Sequence, residues 1–525
     1  MGDEWNAPVE VSEEEIALLE LCKKQKLWAF LRQYRHEILD GDVRASLGAM
    51  YKSGAKGGRP PVAPERLALA MLLQVGFGNS DQEVPMLTVV DQRWQMVLDV
   101  MGAKEPAFSQ GTLFSFRERA RAHGLMTLML NKTVELARTS KGFDHKRLRA
   151  LIDSSPLVGA GRVEDTFNLL GRALAQLVDA VAEEAAVAVD ALAAELELSV
   201  VGATSIKAAL DVDWRKPAAR ATALQALLDQ FDRLRGWIKA HLDQTRVAQP
   251  PVSEQLALVE QIIAQDTEPD PEGPQPGKAR RIREGVMAER LVSLSDRDMR
   301  HGRKSTTKTF NGYKRHVAID ADVQGLICAV KVVPANRPEH EAVGPLLEVV
   351  ASNGFAVTEV HADRGYLPAE ELVAMHDSGV RVICKPPTPA KSDHFGKDVF
   401  AINFDDKTVT CPANVTVPLV AKVRFPASAC GACALRDRCT TSTRRCLSIH
   451  PQEAWYREMA NELATPAGRA LRRQRTPVEH VLAHAGAIQG NRARYRGIEK
   501  NQFDLERVAV LSNCFVLDRL WQEAA

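Results

Sequence analysis

The sequence lacks an excess of charge of either sign. Its 525 residues include 68 Lys and Arg against 67 Asp and Glu, so the formal net charge is only +1. Overall charge therefore gives no sign of a nucleic-acid binder. Any such function has to rest on local clusters of basic residues.

Long apolar runs are also missing. The N-terminus, "MGDEWNAPVEVSEEE", is acidic and lacks the basic and then apolar segments of a secretory signal, and no stretch is long enough to cross a bilayer. We therefore expect a soluble, cytoplasmic protein without a membrane partner. In a reducing compartment, its nine cysteines are expected to be thiols or metal ligands rather than disulfides.

The periodicity predicts an α/β protein with a mixed sheet. Helical spacing runs from about residue 12 to residue 139, and an Ala- and Leu-rich helical stretch follows a first short strand. From residue 307 onward the order is strand, strand, helix, strand, helix, strand. The predicted regions are a helical N-terminal domain (1–140), a first strand (141–162), a helical insertion with its linker (163–290), the main part of the sheet (291–390), a β-rich insertion with a cysteine cluster (391–469) and C-terminal helices (470–525).

Two carboxylates are predicted to end strands of this sheet. An apolar strand within "KRLRALIDSSPL" is predicted to end at Asp153, and one within "VHADRG" at Asp363. Ligands bind at strand ends in such sheets, and carboxylates there suit a pair of Mg²⁺ ions in phosphoryl transfer. Asp is also an ordinary turn residue, which is the competing interpretation for either residue alone.

Four motifs carry a family resemblance. "LIDSSPL", "GYKRHVAID", "VVPANRPEHE" and "VHADRGY" occur in this order after a helical N-terminal region. The chain resembles the DDE transposases of bacterial insertion sequences from roughly Val62 to Leu517. This resemblance implies a ribonuclease H-like catalytic domain at 291–390, with mixed strands and helices on both faces and with the two insertions interrupting it.

The resemblance also implies a third acid on a C-terminal helix. The family pattern is Tyr, two residues, Arg, three residues, Glu, six residues, then Lys. Here Arg475 and Glu479 fit it, while Arg472 replaces the Tyr and Gly486 the Lys. Thr476 and Glu479 also fit a capping box, which leaves a structural role for Glu479 open. Glu499 is the reserve candidate.

The implied chemistry is metal-dependent. Asp153, Asp363 and Glu479 would hold two Mg²⁺ ions, for which Mn²⁺ substitutes, during hydrolysis at the transposon ends and attack of the freed 3′-hydroxyl on target DNA. The implied partner is double-stranded DNA, as terminal inverted repeats and as target, bound by a homodimer near the bacterial nucleoid. A catalytically inactive, domesticated DNA-binding protein and a metal-dependent nuclease without strand transfer are the alternatives.

Basic residues in four segments are candidates for DNA contacts. The run "SQGTLFSFRERARAHG" is compatible with a helix-turn-helix, although a solvated charged face is equally compatible with it. Lys314 and His316 share one side of a predicted strand, where they approach phosphates or form a solvated edge. The candidate residues are Arg117, Arg119, Arg121, Lys314, His316, Arg475, Arg492, Arg494, Arg496 and Lys500.

The cysteine cluster predicts a structural zinc site. Cys411, Cys430, Cys433 and Cys439 combine a Cys-x-x-Cys pair with two flanking thiols, as in closed tetrahedral Zn²⁺ knuckles. Cys446 and His450 are alternative ligands, and free thiols are the competing interpretation. Four protein ligands leave no open position, so such a site stabilises the fold and performs no chemistry.

Overall fold

The N-terminal region is helical. The computed structural model describes residues 5–51, 61–140, 147–271, 279–387 and 393–524. Ser12 and Glu15 form a reciprocal capping box at the first helix, and Pro64 occupies the first turn of the fourth. The described helices here are α1 (Glu13–Leu21), α2 (Lys26–Ile38), α3 (Gly41–Ala49), α4 (Pro64–Phe77), α5 (Glu83–Val90), α6 (Gln92–Leu98), α7 (Gln110–Ala122) and α8 (Leu125–Ser140).

These helices share a hydrophobic core with the sheet. Leu69 and Leu73 of α4 are fully buried and belong to the same apolar cluster as Leu151 and Val317, which lie on two strands. A buried ion pair between Arg138 of α8 and Asp320 also joins the two parts. The buried apolar surface is therefore continuous between the N-terminal helices and the sheet.

The first strand leads into a helical insertion. The strand β1 spans Arg147–Val158, and the insertion has its own core, in which Leu170, Leu174 and Leu177 repeat at helical spacing and pack with Leu227. The insertion contains α9 (Thr166–Ala185), α10 (Val189–Glu195), α11 (Ile206–Ala209), α12 (Pro217–His241), α13 (Gln244–Val247), α14 (Val252–Asp266) and a short hairpin of β2 (Thr267–Pro269) and β3 (Arg280–Ile282).

The remaining strands of the sheet follow the predicted order. β5 pairs antiparallel with β1 along one edge and with β6 and β4 along the other, while β7 pairs parallel with β1 and β8 parallel with β7. The sheet is therefore mixed, with β1 at its centre. The elements are β4 (Arg300–Arg303), β5 (Thr309–Asp320), β6 (Ile327–Pro334), α15 (Val343–Ser352), β7 (Ala356–Ala362), α16 (Glu370–Asp377) and β8 (Arg381–Cys384).

A small module with short strands follows the sheet. Phe400, Val409, Val423, Phe425 and Leu447 form its separate apolar core. Its elements are β9 (Ala401–Asn403), β10 (Thr408–Thr410), β11 (Thr416–Pro418), β12 (Lys422–Arg424), α17 (Ala427–Gly431), α18 (Arg436–Cys439) and β13 (Cys446–Ser448).

Four C-terminal helices return to the sheet. Asn513 of the last helix donates to the carbonyl oxygen of Ile327 and to Thr133 Oγ1, each at 2.9 Å, which fixes this helix between β6 and α8. The helices are α19 (Glu453–Ala464), α20 (Pro466–Arg473), α21 (Thr476–Gln489) and α22 (Ile498–Ala524). Among the described residues, no helix combines the length and apolarity that a bilayer crossing requires.

Candidate active site

The strand register places Asp153 beside Asp363. In the parallel pair of β1 and β7, Leu151 lies opposite His361. Continued two residues beyond this last pair, the offset brings Asp153 next to Asp363, and the two carboxylates are close enough for the charge of Asp363 to raise the pKa of Asp153. Asp363 follows the end of β7, as predicted, but Asp153 lies within β1, which continues to Val158. The prediction that Asp153 ends its strand was therefore wrong, because β1 remains paired with β5 after β7 has ended.

Backbone hydrogen bonds fix both carboxylates. Asp153 Oδ1 accepts from the Ser154 N–H at 2.8 Å, and Asp363 Oδ1 accepts from the Arg364 N–H at 2.9 Å. Burial raises the pKa of Asp153 above its usual range, and the nearby Asp363 charge raises it further, whereas Arg475 opposes the shift. A cation bound between the two carboxylates would relieve this repulsion.

Glu479 reaches the same place from α21. The Arg475 guanidinium bridges the acids, with Nη1 3.0 Å from Asp153 Oδ2 and Nη2 3.0 Å from Glu479 Oε1. The helix starts at Thr476 with Arg475 as N-cap and has no side-chain capping bond. The capping-box alternative for Glu479 was therefore wrong, since its carboxylate pairs with Arg475 instead.

A single cleft contains these acids. Its volume is about 1030 Å³. Acidic and basic side chains line it together, so the carboxylates lie among cationic groups. Its charged lining residues are Asp153, Arg303, Lys304, Lys308, Lys314, Arg315, Glu339, Asp363, Arg475 and Glu479.

Glu339 is a fourth acid in this cleft, and no role was predicted for it. Its Oε1 accepts from Ser154 Oγ at 2.6 Å. Its Oε2 lies 1.9 Å from the position that a Cβ would take at Gly365, so a side chain at residue 365 would displace the Glu339 carboxylate. Glu339 thus contacts the residue after Asp153 and a residue two positions after Asp363. The only sequence signal was its place in the motif "VVPANRPEHE".

Arg315 explains one departure from the family pattern. Its guanidinium donates to Gln489 Oε1 at 2.9 Å and to the Gly490 carbonyl oxygen at 3.0 Å, which anchors the end of α21 to β5. A Cβ at Gly486 would lie 2.9 Å from Arg315 Nη2. Arg315 of β5 therefore lies close to Gly486, the position on α21 where the family has Lys.

Of the two predicted β5 contacts to DNA, the structure contradicts one. Lys314 lines the cleft, and its Nζ donates to the Arg337 carbonyl oxygen at 2.8 Å. His316 is fully buried beneath the floor, where its Nδ1 lies 2.7 Å from the Tyr366 hydroxyl. Burial lowers the pKa of His316 to about 3, so the ring is neutral and has no access to phosphate.

The predicted recognition helix is also corrected. Arg117 on α7 is 5% exposed, and its Nη2 lies 2.5 Å from Asp81 Oδ1. Arg119 lies over the Tyr51 ring, and Arg121 pairs with Glu118 and Glu499. The loop 99–109 separates α6 from α7, whereas a helix-turn-helix has a turn of about three to four residues. This segment therefore does not present three free arginines on one helix face.

The C-terminal basic loop is exposed. Arg492, Arg494, Arg496 and Lys500 all face solvent, and the loop pairs with the end of β1 through Val158. The reserve acid, Glu499, is exposed, pairs with Arg121 and does not line the cleft. The structure therefore brings Glu479, and not Glu499, to Asp153 and Asp363.

The four predicted zinc ligands line one small cavity of about 40 Å³. Backbone N–H groups point at three of the sulfurs, with distances of 3.4 Å to Cys411 Sγ, 3.4 Å to Cys433 Sγ and 3.5 Å to Cys430 Sγ. Cys439 completes the set, and burial, with a smaller contribution from the three neighbouring cysteines, raises the pKa of its thiol. The alternative ligands, Cys446 and His450, do not line this cavity.

In the part of the chain that is described, no group of three or more His, Cys, Asp or Glu side chains already has the spacing of metal ligands. The chemistry of both donor sets nevertheless fits. Adjacent carboxylates of like charge suit Mg²⁺, and four thiols with N–H donors on the sulfurs suit Zn²⁺. Arg475 occupies two of the three acids, so metal binding requires its guanidinium to move.

Two family models match the chain. A transposase domain (DUF772) matches residues 19–119, and a transposase DDE domain matches residues 410–517, which include Glu479. No curated protein and no solved structure matches significantly. The two matches cover the N-terminal helices and the C-terminal part of the site, and together they support a DDE transposase of an insertion sequence.

Proposed function

We propose that this transposase cleaves DNA at transposon ends and transfers the 3′-hydroxyl strand to target DNA, with Asp153, Asp363 and Glu479 as catalytic acids. The observation that carries the proposal is the register that makes Asp153 and Asp363 neighbours in the cleft that Glu479 also lines. Acids on two adjacent strands and one helix supply converging oxygen ligands from three elements.

The sheet topology supports a ribonuclease H-like core. In chain order the five main strands are β1, β5, β6, β7 and β8, and their order in space is β6, β5, β1, β7, β8, with only β5 antiparallel to its neighbours. The two insertions enter after β1 and after β8, outside the strands that position the acids.

The residues of the chain have distinct roles in this reaction. Asp153, Asp363 and Glu479 would hold Mg²⁺ or Mn²⁺, which when bound activates water and stabilises the leaving 3′ oxygen. The Ser154 and Arg364 N–H groups orient two of the carboxylates. Arg475 pairs with Asp153 and Glu479 and opposes the rise in the pKa of Asp153, and Arg315 anchors α21, the helix that carries Glu479.

We infer a structural role for Zn²⁺ in the cysteine module. The module contains only five fully buried apolar residues in its core, which is little for an independently packed unit. A closed site formed by Cys411, Cys430, Cys433 and Cys439 would add the missing stabilisation.

The test is cleavage of a labelled duplex that carries the DNA flanking the gene, in Mg²⁺ or Mn²⁺. We expect metal-dependent nicking at the repeat boundary that is lost in Asp363→Asn and in Glu479→Gln. Glu499→Gln is the matched control, because this acid lies outside the cleft and should leave cleavage unchanged. Equal binding of DNA by the intact protein and Asp363→Asn, with cleavage by neither, would refute the proposal in favour of a catalytically inactive DNA-binding protein.

A second assay separates a transposase from a nuclease. A pre-nicked end with a free 3′-hydroxyl and a supercoiled plasmid are the substrates. Joined products that depend on Asp153 and Asp363 indicate strand transfer. Cleavage without any joined product would identify a metal-dependent nuclease instead.

A further inference from the structure

A basic hairpin stands at the rim of the acidic cleft. β4 and the start of β5 pair antiparallel from Arg300, opposite Gly312, to Arg303, opposite Thr309. Residues 304–308 form the turn between them. Arg303, Lys304 and Lys308 at the tip are exposed and line the same cleft as Asp153. No sequence motif had suggested a function for this hairpin.

The tip cations have no acidic partner. At the base of the hairpin, Arg300 lies 3.7 Å from Glu289 Oε2, and within the cleft Arg475 is bound by two carboxylates. In contrast, no carboxylate of the described residues lies within ion-pair distance of Arg303, Lys304 or Lys308. Three unpaired cations at the edge of one cleft form a site for a polyanion.

The hairpin projects from a fixed base. His301 Nδ1 lies 3.0 Å from Asn311 Oδ1 across the two strands. The Asn311 carbonyl oxygen accepts from the Gly159 N–H at 2.9 Å, and the Gly312 carbonyl oxygen accepts from the Ala335 N–H at 3.0 Å. Both neighbours of β5 therefore anchor the base, and the exposed tip carries the cations.

The C-terminal basic loop flanks the same end of β1. The Val158 N–H donates to the Asn491 carbonyl oxygen at 2.9 Å, and the Ala493 N–H donates to the Val158 carbonyl oxygen at 2.7 Å. From Asp153 to Val158 the strand rises about 16 Å. This length corresponds to about five phosphates of one DNA strand at roughly 3.4 Å each. The hairpin and the loop thus lie where a duplex leaving the cleft would pass.

We propose that the tip of the β4–β5 hairpin binds backbone phosphates of the DNA duplex whose cleavage site lies in the cleft. The partner is DNA of any sequence, because phosphates carry no sequence information. The proposal rests on the proposed function and adds to it the surface that holds the substrate. Arg303, Lys304 and Lys308 contact DNA and take no part in the chemistry.

The test measures the affinity of the full-length protein for two duplexes of equal length, one with the flanking repeat and one unrelated, between 50 and 200 mM salt. The variant Arg303→Ala/Lys304→Ala/Lys308→Ala is compared with the intact protein. We expect the slope of log affinity against log salt to fall by about 0.9 for each lost phosphate contact, equally for both duplexes.

The matched control removes three exposed cations that do not line the cleft, in Lys239→Ala/Lys422→Ala/Arg424→Ala. This variant has the same net charge as the hairpin variant, and its slope should equal that of the intact protein. An unchanged slope in the hairpin variant, an equal fall in the control, or a fall on only one duplex would overturn the proposal. If the intact protein neither binds nor cleaves DNA, both the hairpin assignment and the proposed function are refuted. If the intact protein cleaves DNA but the hairpin variant has the same salt slope, only the hairpin assignment is refuted.

Discussion

Removal of Arg475 should increase the affinity of the site for a divalent cation. Its guanidinium bridges Asp153 and Glu479, with both nitrogen–oxygen distances at 3.0 Å. A metal ion that uses these acids has to displace it. In Arg475→Ala both carboxylates are free, and the repulsion between Asp153 and Asp363 is less compensated, so a cation binds more strongly.

The size of the gain in cation affinity follows from the solvent exposure of the two ion pairs that Arg475 forms. The side chains of Arg475 and Asp153 are 18% and 17% exposed, so their contact should contribute about 1.5 kcal/mol, the lower end for hydrogen bonds to charged groups. Glu479 is 59% exposed, and its pair adds little because solvent screens it. Removing a competing contact worth about 1.4 kcal/mol corresponds to a tenfold gain in affinity for the cation.

The assay is titration of the DNA-free protein with Mn²⁺, followed by calorimetry or by the free Mn²⁺ signal in electron paramagnetic resonance. We expect about tenfold tighter binding in Arg475→Ala together with slower DNA cleavage, and affinity close to that of the intact protein in Arg475→Lys. Arg235→Ala, on the helical insertion, is the charge-matched control. Unchanged or weaker Mn²⁺ binding in Arg475→Ala would refute the competition between arginine and metal.

Three further predictions concern other parts of the molecule. Glu339→Ala should lower the rate of DNA cleavage about tenfold or more at saturating DNA, with unchanged DNA affinity, because the substitution removes the contact that holds the segment next to Asp153. An equal loss of DNA affinity would contradict a positioning role for Glu339. Cys433→Ser should abolish zinc binding measured by metal analysis and lower the thermal midpoint, whereas Cys446→Ser should retain zinc; a zinc-free intact protein would contradict the predicted site. Asp81→Asn should destabilise the protein at neutral pH by about 2 kcal/mol in urea unfolding, because the hydrogen bond from Arg117 lowers the pKa of Asp81. The stabilisation by this pair is present above the ordinary Asp pKa and is lost as the pH falls through the lowered pKa of Asp81. A difference in stability between the two proteins that persists in acid would exclude this explanation.

The sequence by itself determined the features that depend on local pattern. Alternation and helical spacing predicted the strands and helices from residue 309 to residue 384, and the resemblance to one family made Asp153, Asp363 and Glu479 candidate acids. Strand spacing also placed Lys314 and His316 on one side of β5, since successive side chains alternate. These properties arise from neighbours in the chain and need no knowledge of distant contacts.

Only the tertiary structure decided which of these residues meet and which are accessible. The β1–β7 register, set by burial of both strands, made Asp153 and Asp363 neighbours although Asp153 does not end its strand. Packing between distant elements buried His316 and paired Arg117 with Asp81, which no local pattern reveals. Chain segments far apart in sequence also placed Glu339 and the basic hairpin at the cleft, because a polar side chain acquires its partners only when the whole sheet has formed.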